Sequence, residues 1–250
     1  MLNKSFIRGL WGNCCFDSND NKSSVKKDID DILSNEFTES FHTYVFGTKN
    51  YDYLKSLGVE CSLINSEPVI YDMETKMWRH KLDIFKQGMK DFDEIVFMDW
   101  DCKPTKKLPD DFWDKISLKS SFQANLLQYR TKRCLWRKED WRKTCNGGFV
   151  YISDKSIPDK IINLYNNLCK WVEKQKIKRE SQGKDLRFRE KAIIFDDEPA
   201  MSKYVDEFNG EWKGEDYYWQ YHEPIFCNIK KSVYSEELLK TKEECFRHWV

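Results

Sequence analysis

Ile95-Val96-Phe97-Met98-Asp99-Trp100-Asp101 sets four consecutive apolar residues ahead of two carboxylates separated by one residue. An uninterrupted apolar run of this length suits a central strand buried on both faces of a parallel sheet. In open α/β sheets, ligands collect at the carboxyl ends of such strands. Two hard oxygen donors at that place suit Mg²⁺ or Mn²⁺, which binds through one or two carboxylates and keeps positions for substrate phosphates. Asp99 and Asp101 are therefore the candidate metal ligands, and Trp100 between them is a candidate substrate contact. An isolated Asp-x-Asp can also do no more than end a strand; the apolar run before it favours the metal.

Outward from this stretch, Met77–Lys90 has helical spacing, with Trp78, Leu82, Phe85 and Met89 recurring at three or four residues. Further upstream the chain alternates. A strand is expected over Ser5–Trp11, then a polar loop and a helix around Val25–Leu33. A second strand covers His42–Gly47, a short helix Tyr51–Leu57 closes at Gly58, and a third strand covers Val59–Ile64. Strand and helix in alternation predict a parallel sheet. Downstream, strands are expected over Phe122–Tyr129 and Gly148–Ile152. Lys155–Lys174 reads as an amphipathic helix on Ile161, Ile162, Leu164, Tyr165, Leu168 and Val172. Ala192–Phe195 is a short apolar run, and Pro199–Phe208 a helix with proline at its first position. The remaining C-terminal residues read as strands and turns. The 250 residues suit a single α/β domain, long enough to hide roughly 70% of its unfolded surface without staples.

Charge gives no partner globally, since Lys+Arg and Asp+Glu are 42 each. Locally, 129–144 carries seven basic residues against Glu139 and Asp140, and 170–191 carries nine against four. Trp136, Trp141, Trp171 and Phe188 are interleaved with these charges. Such runs are commonly solvated surface, yet basic stretches with stacking aromatics also suit an anionic polymer such as nucleic acid. Nine cysteines, an odd count without a CxxC, fit reduced thiols better than a disulfide framework or zinc site. No apolar stretch approaches the ~20 residues of a membrane span, and the N-terminus lacks a long apolar leader. These features predict a cytoplasmic protein without a membrane span.

Four short motifs, in order, resemble glycogenin-like and related glycosyltransferases of the GT-A fold. They are His80-Lys81-Leu82 leading to Phe97-Met98-Asp99-Trp100-Asp101, Cys145-Asn146-Gly147-Gly148-Phe149-Val150-Tyr151, Asp196-Asp197-Glu198 before a helix, and Phe246-Arg247-His248-Trp249. The match in order and spacing runs across about residues 5–250. The resemblance implies a Rossmann-like mixed sheet flanked by helices. It also implies a nucleotide-diphosphate sugar as donor, Mn²⁺ or Mg²⁺ as cofactor, and transfer to an acceptor hydroxyl, with retaining families the nearest. On that resemblance Lys81 contacts the donor, and His248 is the third metal ligand beside Asp99 and Asp101. Two departures stand out: the chain stops two residues after His248, without the family's later Gly and Lys-Pro-Trp elements, and Glu198 stands where many members have Gln.

The matched positions have chemistry of their own. Gly147 and Gly148 let the backbone approach a sugar, and the Asn146 amide can donate and accept to hydroxyls; Asn-Gly is equally an ordinary turn signal. Gly9 and Leu10, at the end of the first strand, are candidate nucleoside contacts. Lys81 could alternatively be a solvated helix lysine. Of the four histidines, His222 in Tyr-His-Glu-Pro is the alternative third ligand. Asp197 and Glu198 are the candidate catalytic residues, as a base on the acceptor or as stabilisers of an oxocarbenium-like state. The helix dipole accounts for one carboxylate there more readily than for three in a row. The acceptor is a glycan, a protein or DNA; the small form and Lys/Asn-rich composition resemble phage enzymes that glycosylate hydroxymethylated bases. Outside this class, a haloacid-dehalogenase-type phosphatase also places Asp-x-Asp after an apolar strand, but near its N-terminus and with Thr or Val where Lys103 stands. An inactive nucleotide-sugar-binding module is a further alternative.

Overall fold

The computed structural model describes residues 2–11, 41–65, 79–100, 102–104, 108, 110–117, 120–128, 143–191, 197–208, 226–229 and 246–249. At 103, 104, 115, 125–128, 143, 144, 146, 188, 189, 226–229 and 246–249 the description is of the backbone alone. The strands are β1 (Lys4–Leu10), β2 (Phe41–Phe46), β3 (Cys61–Ile64), β4 (Glu94–Met98), β5 (Cys102–Pro104), β6 (Phe122–Gln128), β7 (Lys143–Ile152), β8 (Phe226–Ile229) and β9 (Phe246–Trp249). The helices are α1 (Thr48–Ser56), α2 (Arg79–Asp91), α3 (Phe112–Ser117), α4 (Ile157–Glu180), α5 (Phe188–Lys191) and α6 (Glu198–Phe208).

Six strands form one sheet in the order β3-β2-β1-β4-β7-β6. The first four are mutually parallel, as the alternation predicts; β7 runs antiparallel to β4, and β6 antiparallel to β7. This is the expected mixed sheet flanked by helices. The chain builds outward from β1 through β2 to β3, then returns to lay β4 on the other side of β1. The carboxyl ends of β1 and β4 therefore flank the point where strand order reverses, the crevice that open α/β sheets use for ligands.

All five residues of β4 are buried. Ile95 and Phe97 pack on one face with Ile7, Leu82, Phe85 and Ile161. Val96 and Met98 pack on the other with Phe6, Phe112, Ile116 and Phe149. Each such side chain contributes roughly 1.5–3 kcal/mol by leaving water. Leu10 joins Val45, Leu54 and Cys61 under α1.

Three local outcomes differ from the sequence expectation. Gly148 lies well inside β7, which begins at Lys143. The β6 register moves from Ala124↔Val150 to Asn125↔Asn146, so Gly147-Gly148-Phe149 bulge out of pairing with β6. α4 continues six residues past Lys174. Its apolar contacts end at Val172, and its last turn is held instead by Arg179, whose Nε lies 2.7 Å from Glu190 Oε2. Finally, β5, β8 and β9 form a small second sheet in the order β5-β9-β8, which local periodicity did not announce. The expected helix at 25–33 and the apolar run 192–195 lie outside the described residues. No described helix is long and apolar enough to cross a membrane.

Candidate functional site

β4 delivers Asp99 to the carboxyl edge of the sheet. Ile7 pairs with Phe97, so two residues further along the two strands stand Gly9 and Asp99. Asp99 is fixed by its backbone: its N–H donates to Gly148 O at 2.9 Å, and its carbonyl accepts from Cys102 N–H at 3.0 Å. The second contact closes a turn around Trp100. Trp100 Nε1 donates to Gly9 O at 2.6 Å, tying the end of β4 to the end of β1 across the switch point.

Lys81, in the first turns of α2, faces this edge. It is 1% exposed, so it is no solvated helix lysine. Its ammonium donates to Asp99 Oδ2 at 3.0 Å and to Gly147 O at 3.2 Å. Asp197 Oδ2 lies 3.4 Å from the same nitrogen, and the Lys81 and Asp197 side chains are each 2% exposed. That approach is ionic in distance, but Asp197 Oδ2 has no hydrogen bond of good geometry among the described residues. The 3.4 Å pairing therefore counts as a loose contact that leaves this oxygen with acceptor capacity. Asp99 is the most open of the three, with its side chain 21% exposed. A buried ammonium is tolerable because two carboxylates and a carbonyl surround it.

Asp197 precedes α6 and accepts the N–H groups of Ala200 and Met201 at its carbonyl. Its side chain turns to Lys81 instead of solvent, which a helix-dipole role alone does not require. Glu198 opens α6 and is 6% exposed. The helix is anchored to β7 through Ser202 Oγ, which accepts from Cys145 N–H at 2.9 Å.

Gly147 explains itself here. A Cβ on it would collide with Asp197 Oδ2 and stand 2.9 Å from Lys81 Nζ. The space that the missing side chain frees is thus taken by the ends of Asp197 and Lys81. Gly9 behaves likewise, its Cβ position being taken by Ile84 Cδ1, with Trp11 close by. Leu10 has its side chain in the core, so only its backbone can face a ligand.

The structure thus brings Gly9, Lys81, Asp99, Trp100, Gly147, Gly148 and Asp197 together. Asp101 and His222 lie outside the described residues, as do the side chains of Asn146 and His248. The backbone of His248 is placed: it pairs with Cys102, next in sequence to Asp101. For a hard divalent cation the fit is favourable. The Asp99 carboxylate is a hard oxygen donor held at the switch point, the residue's carbonyl bonded by Cys102 N–H, with a histidine-bearing strand paired at Cys102. Among the described residues, no cluster of three or more His, Cys, Asp and Glu is in place to hold an ion. His80 is a packing residue, stacked on Trp11 with ring centroids 5.9 Å apart and edge-on to Phe46 at 4.2 Å.

Sequence reasoning passed over Arg8. It is fully buried, its guanidinium 3.9 Å from the centre of the Phe41 ring and 5.1 Å from that of Trp100. It donates to Cys102 O at 3.4 Å. The available signal was a lone charge inside the apolar run Phe6-Ile7-Arg8-Gly9-Leu10, since charges are almost never fully buried without a reason.

No family model and no curated protein matches the chain. One solved structure to which it is similar is the crystal structure of a glycosyltransferase involved in the glycosylation of the major capsid of PBCV-1. The identity is 12%, over 98% of this chain and 92% of that one, at a TM-score of 0.40. A likeness of that degree transfers no activity from one chain to the other.

Proposed function

We propose that this protein is a metal-dependent glycosyltransferase that moves a sugar from a nucleoside-diphosphate donor to an acceptor hydroxyl, with retained configuration. One observation carries the reading: a single buried ammonium, Lys81, joins a carboxylate at the end of the central strand, Asp99, to a second just ahead of a helix distant in sequence, Asp197. The pair stands at the switch point of the sheet. The motif resemblance supplies the reaction class.

In this reading Asp99, Asp101 and His248 hold Mn²⁺ or Mg²⁺. When bound, the cation stabilises the negative charge that develops on the leaving diphosphate. Lys81 orients the Asp99 carboxylate through Oδ2 and adds a fixed positive charge beside the diphosphate. Such charge, preorganised away from water, acts more strongly than the same charge in solvent. Asp197 and Glu198 lie beside the sugar. A carboxylate there stabilises positive charge at the anomeric carbon. The backbone at Gly9 and Leu10 and the Trp100 ring flank the nucleoside.

The test is incubation with a panel of nucleotide sugars and Mn²⁺, following released nucleoside diphosphate, after thermal-shift profiling of donors. Release with one donor and its dependence on the cation are expected. No release with any donor, together with inorganic phosphate from a phosphomonoester, would replace the reading with a phosphatase.

A further inference from the structure

Arg8 is an expensive residue where it stands. Its guanidinium is fully desolvated in the middle of a central parallel strand. Apolar residues of similar volume commonly replace buried charges without loss of stability. What distinguishes Arg8 is what it touches. Its guanidinium carbon lies over the Phe41 ring, at the start of β2, 3.9 Å from its centre, and 5.1 Å from the centre of the Trp100 ring. NH2 donates to the carbonyl of Cys102, the first residue of β5. Cys102 also donates its N–H to Asp99 O and pairs with His248 in the second sheet. A single side chain thereby meets the ring in the middle of the Asp99–Cys102 turn and the residue that closes it. Through that residue it reaches the strand carrying His248.

We infer that Arg8 is a positioning residue that holds the turn Cys102 closes onto Asp99, and the β5–β9 pairing, in a geometry that lets the Asp99 carboxylate bind a cation. The inference rests on the metal reading above. Arginine suits the task because its flat guanidinium stacks on rings while its edge donates hydrogen bonds. A lysine offers a compact ammonium with no flat face. It keeps the charge, yet cannot stack on Phe41 and reach the Cys102 carbonyl in the same way. In this inference Arg8 acts through the turn.

The experiment is Mn²⁺ binding to the full chain without donor, by calorimetry or by the free-Mn²⁺ resonance signal, for wild type, Arg8→Lys, Phe41→Leu and Asp99→Asn. Groups that support metal ligands change affinity by about 10–100-fold when replaced. Arg8→Lys is expected to weaken Mn²⁺ about tenfold, with turnover recovering as Mn²⁺ is raised to saturation. A role confined to packing would lower the melting temperature and leave the affinity of the folded protein alone. Arg8→Lys that is folded and binds Mn²⁺ as wild type does overturns the inference and leaves the metal reading standing. If wild type and Asp99→Asn bind Mn²⁺ equally poorly, the metal reading itself falls. Should Arg8→Lys not fold, Phe41→Leu decides. It removes one stacked ring, and an unchanged affinity in it overturns the inference.

Discussion

Lys81 Nζ stands 3.4 Å from Asp197 Oδ2, with both side chains all but excluded from solvent. Removing the lysine charge leaves the Asp197 carboxylate buried without compensation, at a cost of about 3–5 kcal/mol. Lys81→Met is expected to lower unfolding free energy by about that amount. Lys81→Met combined with Asp197→Leu should regain a large part of it, because no charge is then stranded behind Gly147. Urea denaturation of both single variants and the double variant measures the coupling. A double variant no better than the sum of the singles would mean that the pair contributes through packing only.

Asp99 and Asp101 are expected to matter to chemistry more than to folding. Asp99 is partly exposed, and water can reach it once its charge is removed. Asp99→Asn and Asp101→Asn should each keep the melting temperature within a few degrees and lower transfer by about 100-fold or more, since even supporting groups around a metal are worth 10–100-fold. Initial rates across a Mn²⁺ titration check this. Full activity in both variants with an unchanged metal requirement would remove the carboxylates from the site.

Gly147→Ala places a methyl group against Asp197 Oδ2 and Lys81 Nζ. Lys81 cannot retreat freely, because it is held by Asp99 and by Gly147 O. Overpacking of this kind costs about 1–3 kcal/mol. Activity should fall further than stability, as the Lys81–Asp99 contact is displaced. A useful control is Gly183→Ala, where the strain comes from a φ of +65° with nothing within 4 Å of the new Cβ. That variant should lose stability and keep its rate.

Glu190 ties α5 to the end of α4. Hydrogen bonds from Arg187 hold its carboxyl down, at about 2 against an ordinary value of 4.5; desolvation works against this, and Arg179 adds to it. A folded-state value below the unfolded one means that the contribution is complete above about 4.5. It is lost as pH falls toward about 2. The urea midpoint of wild type should therefore exceed that of Glu190→Gln at pH 6, and the difference should shrink between pH 4.5 and 2. A constant difference across that range would show that the carboxylate charge is not what anchors the last turn of α4.

If the proposed metal site is right, truncation distinguishes His248 from His222 as its third ligand. β9 aligns His248 with Cys102, at the end of the Asp99 turn. Deleting residues 248–250 should weaken metal-dependent donor binding severely, and His222→Ala should do little. Isothermal titration with nucleoside diphosphate and Mn²⁺ distinguishes them. The reverse pattern would transfer the role to His222.

Much of this was legible in the chain, and for a local reason. The β1–β4 half follows from hydrophobic runs of strand length alternating with helical spacing, because main-chain geometry imposes periods of about 2 and 3.6 on whichever side chains face the core. Ile95–Met98 announced a strand buried on both faces, and it is one. The sequence also placed Asp99 at the end of that strand and Asp197 just ahead of a helix. It could not say that Lys81 is buried, since a helix lysine looks the same whether it meets water or two carboxylates. Only the tertiary structure decided that, by bringing the β7 bulge and the start of α6 against the first turns of α2. It likewise decided that the ends of Lys81 and Asp197 lie where a Gly147 side chain would stand, and that Arg8 lies against Phe41 and Trp100. Burial of a charge depends on partners remote in sequence, and the cost of desolvation is settled only when those partners arrive. A periodic pattern records which face of an element is apolar; it does not record which distant charge will be waiting there.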